Sequence, residues 1–257
     1  MNHSVKLSWL PKSRESSLLM NYMNFLSIDH HQTFDNYEQL HRWSIENPEN
    51  FWSSFAQFAG IAFKESSSKI LDMGEHMMDS KWFVGSKLNF AEHLISSKNH
   101  HPAIIYRDEQ GQRKELSYQE LFDQVHSFAK TLIEQGVKQG DVVGAIMNNC
   151  PETIVAMLAS SAIGAIWTSC SPDFGVDAIL DRIGQVKPKV LIAIDQYEYN
   201  GKKFNLIKKI RAVSNNIESL SKIFIVQQSA TEIDYQSLDK AVLFNDYLNQ
   251  SEEIQFE

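Results

Sequence analysis

The sequence predicts an α/β fold, a mostly parallel sheet flanked by helices, with a helical cap ahead of it. Three observations within residues 141–195 carry that expectation. Short apolar runs recur at residues 141–147, 165–167 and 189–194, as expected of strands buried on both faces. Two helical periods lie between them: Ile154, Val155, Met157, Leu158 and Ala162 in one, and Val176, Ile179, Leu180 and Ile183 at i, i+3, i+4 and i+7 in the other. Pro151 stands where the first helix begins, a position whose missing N–H costs nothing, and Gly164 offers its stop. Strand, helix, strand, helix, strand implies parallel pairing, because parallel neighbours need a crossover over a face of the sheet.

Earlier in the chain, Leu18, Leu19, Tyr22, Met23 and Leu26 repeat at helical spacing, and Tyr37, Leu40, His41 and Ile45 predict a second helix. Asn47-Pro48 starts a third, whose Phe51, Trp52, Phe55, Phe58 and Ala59 form an aromatic stripe that packs onto the main domain rather than boxing a cofactor. Asn89 caps a short helix, residues 102–106 read as a strand, and Asp108-Glu109-Gln110-Gly111 is a hairpin turn leading into Lys114-Glu115-Leu116. Ser117 and Glu120 have capping-box spacing ahead of a helix with Phe122, Val125, Ala129, Leu132 and Ile133 on its buried side, and Gly136 ends it. After a polar connection at residues 196–201, residues 202–211 read as a basic helix with Lys208, Lys209 and Arg211 mostly outward. Residues 222–227 supply another strand and residues 241–244 begin a short terminal element. There is no internal repeat and no flexible linker.

Thirty-two acidic residues against 24 basic ones give a formal net charge of −8. General affinity for nucleic acid or anionic lipid is thereby not expected, and any anionic ligand must meet a local basic cluster. No run approaches the ~18 uninterrupted apolar residues of a membrane span, and Ser4, Lys6 and Ser8 break the apolar centre a secretory leader would need. Cys150 and Cys170, the only cysteines, form neither a metal-ligand set nor a disulfide framework. A cytoplasmic protein is expected.

Motifs of self-sufficient catalysis are missing from the 257 residues. Gly-x-x-x-x-Gly-Lys-Ser/Thr, Gly-x-Gly-x-x-Gly and Gly-x-Ser-x-Gly do not occur. Ser66 and Lys69 have Ser-x-x-Lys spacing but no accompanying motif, and read as loop. Asp72, Glu75, His76 and Asp79, like His30-His31 and His100-His101, lack metal-site spacing and read as solvated. Trp167 and Cys170 read as core.

Several stretches carry a resemblance: Trp9-Leu10-Pro11, Phe34-Asp35-Asn36-Tyr37, residues 48–55, Leu88-Asn89-Phe90-Ala91-Glu92 and above all the loop Thr168-Ser169-Cys170-Ser171-Pro172-Asp173-Phe174-Gly175. They resemble the N-terminal subdomain of the AMP-forming acyl-CoA synthetases of the adenylate-forming superfamily, and within it the branch that activates acetoacetate. The resemblance implies a helical N-terminal cap region over residues 1–92 and a truncated AMP-binding domain over residues 93–257. It implies a reaction in which acetoacetate attacks Mg-ATP to give acetoacetyl-AMP and pyrophosphate, after which CoA displaces AMP. Acetoacetate, ATP and CoA are then the partners, with no nucleic acid or membrane. The family's Ser/Thr/Gly-rich phosphate loop, closing in Pro-Lys, is absent here, so the expectation is the N-terminal part of an acetoacetate:CoA ligase, inactive alone and prone to aggregate through an exposed sheet edge. The alternatives are a piece of an acetyl- or propionyl-CoA synthetase, or a non-catalytic binding module that kept the fold.

The same resemblance implies one wall of a CoA nucleotide site. In related acetyl-CoA synthetases the corresponding loop approaches the adenine and two arginines farther on meet the phosphates. By position these fall on Ser171, Pro172 and Asp173, and on Tyr199 and Lys202. This chain departs by placing Pro172 and Asp173 where glycines stand, and by keeping positive charge only at Lys202, with Lys203 as a substitute. A helix N-terminus beside Lys202 would attract phosphate independently; the competing reading of the same lysines is a solvated basic helix face.

Overall fold

The structure is a computed structural model that describes residues 12–229, 234–248 and 253–257. Trp9-Leu10-Pro11 lies outside the described residues. The chain divides into two compact units between Leu88 and Asn89. That division falls a little ahead of the expected 92/93 boundary, because Asn89 is tied into the second unit. Its Oδ1 accepts from the backbone N–H groups of Ala91 (2.9 Å) and Glu92 (3.2 Å), capping the helix that follows. Its Nδ2 donates to the carbonyls of Ser161 (3.0 Å), Ala162 (3.1 Å) and Glu257 (2.7 Å).

In the first unit, α1 (Leu18–Asp29), α2 (Tyr37–Glu46) and α3 (Pro48–Phe58) form where the periods place them. Ser17 and Asn36 cap the first two by accepting a backbone N–H, and proline opens the third. The aromatic stripe closes on α1 inside its own unit. The Tyr22 ring lies 6.1, 5.5 and 5.1 Å from those of Phe51, Phe55 and Phe58, and its hydroxyl reaches Ser54 Oγ at 2.8 Å. The unit is not wholly helical: β1 (Lys69–Asp72) and β2 (Lys81–Val84) pair antiparallel, and Lys69, read as loop, begins a strand and ion-pairs with Asp72 at 2.8 Å.

The second unit opens with α4 (Phe90–Leu94), the antiparallel pair β3 (Pro102–Arg107) and β4 (Arg113–Ser117), and α5 (Tyr118–Glu134). Both halves of the Ser117–Glu120 capping box are made. Then come β5 (Val142–Ile146), α6 (Pro151–Ala162), β6 (Ile166–Cys170), α7 (Val176–Arg182) and β7 (Val190–Ile194). The chain goes on through β8 (Gln196–Tyr199), β9 (Lys202–Asn205), α8 (Ile207–Ser214), β10 (Lys222–Val226) and β11 (Ala241–Leu243). Five of these strands form one sheet in the order β11-β10-β7-β5-β6, with every pairing parallel. The two faces are covered by different helices. Phe224 of β10 packs its ring 5.1 Å from Phe128 of α5, whereas Gly144, on the opposite face by register, looks toward Ile183 at the end of α7. All five residues of β7 are buried, hence its unbroken apolar run.

Two expectations need correction. The second strand of the motif, read as residues 165–167, runs on to Cys170 and lies at an edge of the sheet, so Ile166 is half exposed rather than buried. Thr168 and Ser169 pair with Gly144 and Ala145, because ladder hydrogen bonds do not require apolar side chains at an edge. The larger change lies after β7. Instead of a polar connection and one basic helix, β8 and β9 form an antiparallel hairpin, and α8 starts only at Ile207. Asn200 (φ 51°) and Gly201 (φ 70°) turn the hairpin in the left-handed pair that an Asn-Gly loop favours. Tyr197 stacks on its cross-strand partner Phe204 at 5.0 Å. Lys202 therefore lies on a strand, not beside a helix N-terminus. Nor is the α8 basic face simply solvated: Lys209 donates to the Pro172 carbonyl at 2.6 Å, and Arg211 bonds Ser237.

Gly144 permits the close approach of α7. A Cβ there would stand 2.8 Å from Ile183 Cγ2 and 3.2 Å from Pro188 Cβ, atoms of stiff side chains in a filled layer. Gly144→Ala is expected to destabilise the chain by about 1–3 kcal/mol, read as a lower midpoint in urea unfolding; an unchanged midpoint would show that the layer has slack.

Candidate functional site

The sheet order creates a place for a ligand. From β5 the chain crosses to β6 on one side, then returns past β5 to β7 and on to β10. The connections diverge beyond the carboxyl end of β5, and such switch points leave a crevice at the strand ends. A cavity of about 1150 Å³ lies there. Residues 147–153 after β5, 169–173 at the end of β6, 196–199 after β7 and 227–228 after β10 line it, and the β3–β4 hairpin closes one side.

Of the residues singled out from sequence, Ser171, Pro172, Asp173, Tyr199 and Lys203 all border this cavity, and Lys202 does not. Strand alternation separates the two lysines. On β9 they point to opposite faces; Lys203 opposes Glu198, and Lys202 opposes Tyr199, which itself borders the cavity, so the face alone does not decide which side chain reaches it. The loop carrying Ser171 to Asp173 is held from behind by the Lys209 bond to Pro172 and by Arg182, whose guanidinium lies 4.6 Å over the Phe174 ring.

Other residues of the cavity were not found from sequence. Asn148 presents a buried Oδ1 with no partner among the described residues, while its backbone carbonyl accepts from Thr153 Oγ1 at 2.7 Å. A buried acceptor left open in this way fits a ligand donor. Asp195, fully buried at the end of β7, accepts from the N–H groups of Gln228 (2.6 Å) and Ser229 (3.1 Å), fixing the turn that brings Gln227 and Gln228 to the wall. The only hint in the sequence was position, polar residues directly after apolar strands. The charge of the wall is mixed: Asp108, Glu109, Glu152, Asp173 and Glu198 stand against Arg107, Lys114 and Lys203. Among the described residues no three His, Cys, Asp or Glu side chains are placed to hold a metal ion, and no helix is long and apolar enough to cross a membrane.

An open parallel sheet with a crevice at its carboxyl edge places the chain among the α/β proteins, whose ligands generally bind at the switch point. Comparison with known proteins makes the class specific. The chain belongs to the AMP-binding enzyme family, whose pattern matches residues 91–253, and residues 37–94 match the family described as acetyl-coenzyme A synthetase N-terminus. An acetoacetyl-CoA synthetase of Macaca fascicularis is 31% identical over 98% of this chain and 39% of its own length. An acetoacetyl-coenzyme A synthetase of Rhizobium meliloti is 37% identical over 81% of this chain and 32% of its own. The solved acetoacetyl-CoA synthetase from Streptomyces lividans superposes with a TM-score of 0.86 at 29% identity, covering 97% of this chain and 39% of that one. The resemblance read from the sequence is therefore to the N-terminal part of these proteins, and the chain spans about a third to two fifths of their length.

Both cysteines border the cavity and both are buried. Burial pushes the Cys150 thiol up to about 12, with Glu152 adding to it, although the thiol sits at the start of α6. Burial pushes Cys170 up to about 11. Both shifts favour the protonated thiol near neutral pH, which argues against either sulfur as a nucleophile. In the folded chain at pH 8 both are expected to react with a disulfide reagent at least about a hundredfold more slowly than a free thiol of ordinary pKa, and at the ordinary rate in denaturant; fast native reaction of either would refute the assignment.

Proposed function

We propose that these 257 residues form the N-terminal part of an acetoacetate:CoA ligase, which makes acetoacetyl-CoA, AMP and pyrophosphate from acetoacetate, ATP and CoA, and that the cavity takes the CoA nucleotide. The observation that carries this reading is the convergence of the 171–173 loop and the hairpin bearing Tyr199 and Lys203 on one cavity, in a chain similar to acetoacetyl-CoA synthetases along nearly its whole length. In that reaction a carboxylate oxygen, a poor leaving group, becomes part of an acyl phosphate mixed anhydride before the thiol attacks. Lys203 supplies positive charge for a phosphate, and Asn148 Oδ1 a free acceptor for a ligand N–H. Mg-ATP is gripped elsewhere in this reading, since the Ser/Thr/Gly-rich loop ending in Pro-Lys does not occur in these residues.

A second reading changes only the acid. A 3-hydroxypropionyl-coenzyme A synthetase of Sulfurisphaera tokodaii is 35% identical over 78% of this chain, which supports a ligase for another short acid.

Residues 1–257 alone are expected to show no acetoacetate-dependent exchange of pyrophosphate into ATP; measurable exchange would overturn the proposed inactivity. Calorimetric titration with CoA separates the lysines. Lys203→Glu should weaken binding by about 1 kcal/mol, roughly fivefold, and Lys202→Glu by much less. Equal effects would mean that strand register does not select the phosphate contact.

A further inference from the structure

The β8–β9 hairpin that brings Tyr199 and Lys203 to the cavity is held by a residue no resemblance singles out. At its tip, Asn200 and Gly201 are both left-handed, and their successive N–H groups point the same way. Both donate to one carboxylate, Asn200 N to Glu109 Oε1 at 3.2 Å and Gly201 N to Glu109 Oε2 at 3.3 Å. Beside them Gln110 Nε2 donates to Glu198 Oε2 at 2.8 Å. Glu109 is itself presented by a closed turn. Asp108 N donates to the Gln112 carbonyl at 3.1 Å, Asp108 Oδ1 accepts from Gln112 N at 2.8 Å, and Gly111 (φ 81°) completes the reversal.

We propose that Glu109 is a positioning residue: its carboxylate fixes the β8–β9 turn against the β3–β4 turn, and so sets where Tyr199 and Lys203 face the ligand. Three features support this. The hairpin is two-stranded, four residues on each side, and pairs with no other strand among the described residues, so its own ladder holds it weakly. The charge-assisted bonds fall at the tip, where they restrain the end farthest from the sheet. The carboxylate also fills a backbone seat that would otherwise attract an anion, leaving anion contact on this hairpin to a side chain.

The consequence for ligand rests on the CoA reading, whereas the clasp itself does not. Hydrogen exchange of peptides covering residues 196–206 reads the clasp, CoA titration reads the consequence, and thermal melting checks the fold. Glu109→Ala is expected to speed exchange at the hairpin roughly tenfold, to weaken CoA binding several-fold, and to leave the melting temperature unchanged. Glu109→Gln, which keeps one acceptor, should recover most of both. Unchanged exchange in Glu109→Ala would overturn the clasp. Faster exchange with unchanged or tighter CoA binding would overturn the positioning role, tighter binding marking Glu109 as a competitor for the seat. If the unsubstituted chain binds no CoA, the CoA reading fails, and the exchange data still decide whether Glu109 holds the hairpin.

Discussion

Parallel strands cannot be joined by a tight turn, and that constraint organises the second unit. Each strand of the sheet must be followed by a segment that crosses a face before the next can begin, so β5, β6, β7 and β10 all release their chain at the same edge. The faces are occupied by α5 and α6 or by α7 and α8, and the central strands are buried but for the first residues of β5 and β10, with Val190 to Ile194 fully enclosed. The scaffold has little freedom left for chemistry. Only the residues just past the strand ends combine a fixed position with access to a ligand, and the cavity is lined largely by them.

Much of this scaffold was legible because it rests on local signals. Pro151, the Ser117–Glu120 capping box and the apolar runs each state a physical requirement within a few residues of themselves. The β8–β9 hairpin was misread because Lys202, Lys203, Lys208, Lys209 and Arg211 look like one helical surface; the Asn200-Gly201 turn that divides them is a two-residue signal inside a strongly basic context. The length of β6 was misread because Thr168 and Ser169 are polar, and an edge strand can hold polar residues in its ladder.

The loop Ser171 to Asp173 was singled out through resemblance, and composition would not have singled it out. Asn148, Gln228 and Asp195 showed only their position after a strand, since a polar residue there has no period to betray it and the Asp195 bonds span more than thirty positions. Adjacent Lys202 and Lys203 show the limit from the other side. Sequence proximity grouped them, and the pleat sends them apart. Around the cavity the chain also spends backbone donors on its own carboxylates, Asp195 taking one pair and Glu109 another. In a protein with a net charge of −8, that arrangement ties up two pairs of backbone donors and leaves Arg107, Lys114 and Lys203 as the positive charges on the cavity wall.

The burial of Cys150 and Cys170 has a chemical consequence. Mixed disulfides form when a thiolate attacks, and a sulfur whose proton is held to about 12 or about 11 is almost never that thiolate at cellular pH. The walls of the crevice therefore offer no ready thiolate for disulfide exchange with a small thiol or disulfide that reaches them. By burying its two sulfurs, the fold lines the crevice with thiols that are slow to exchange.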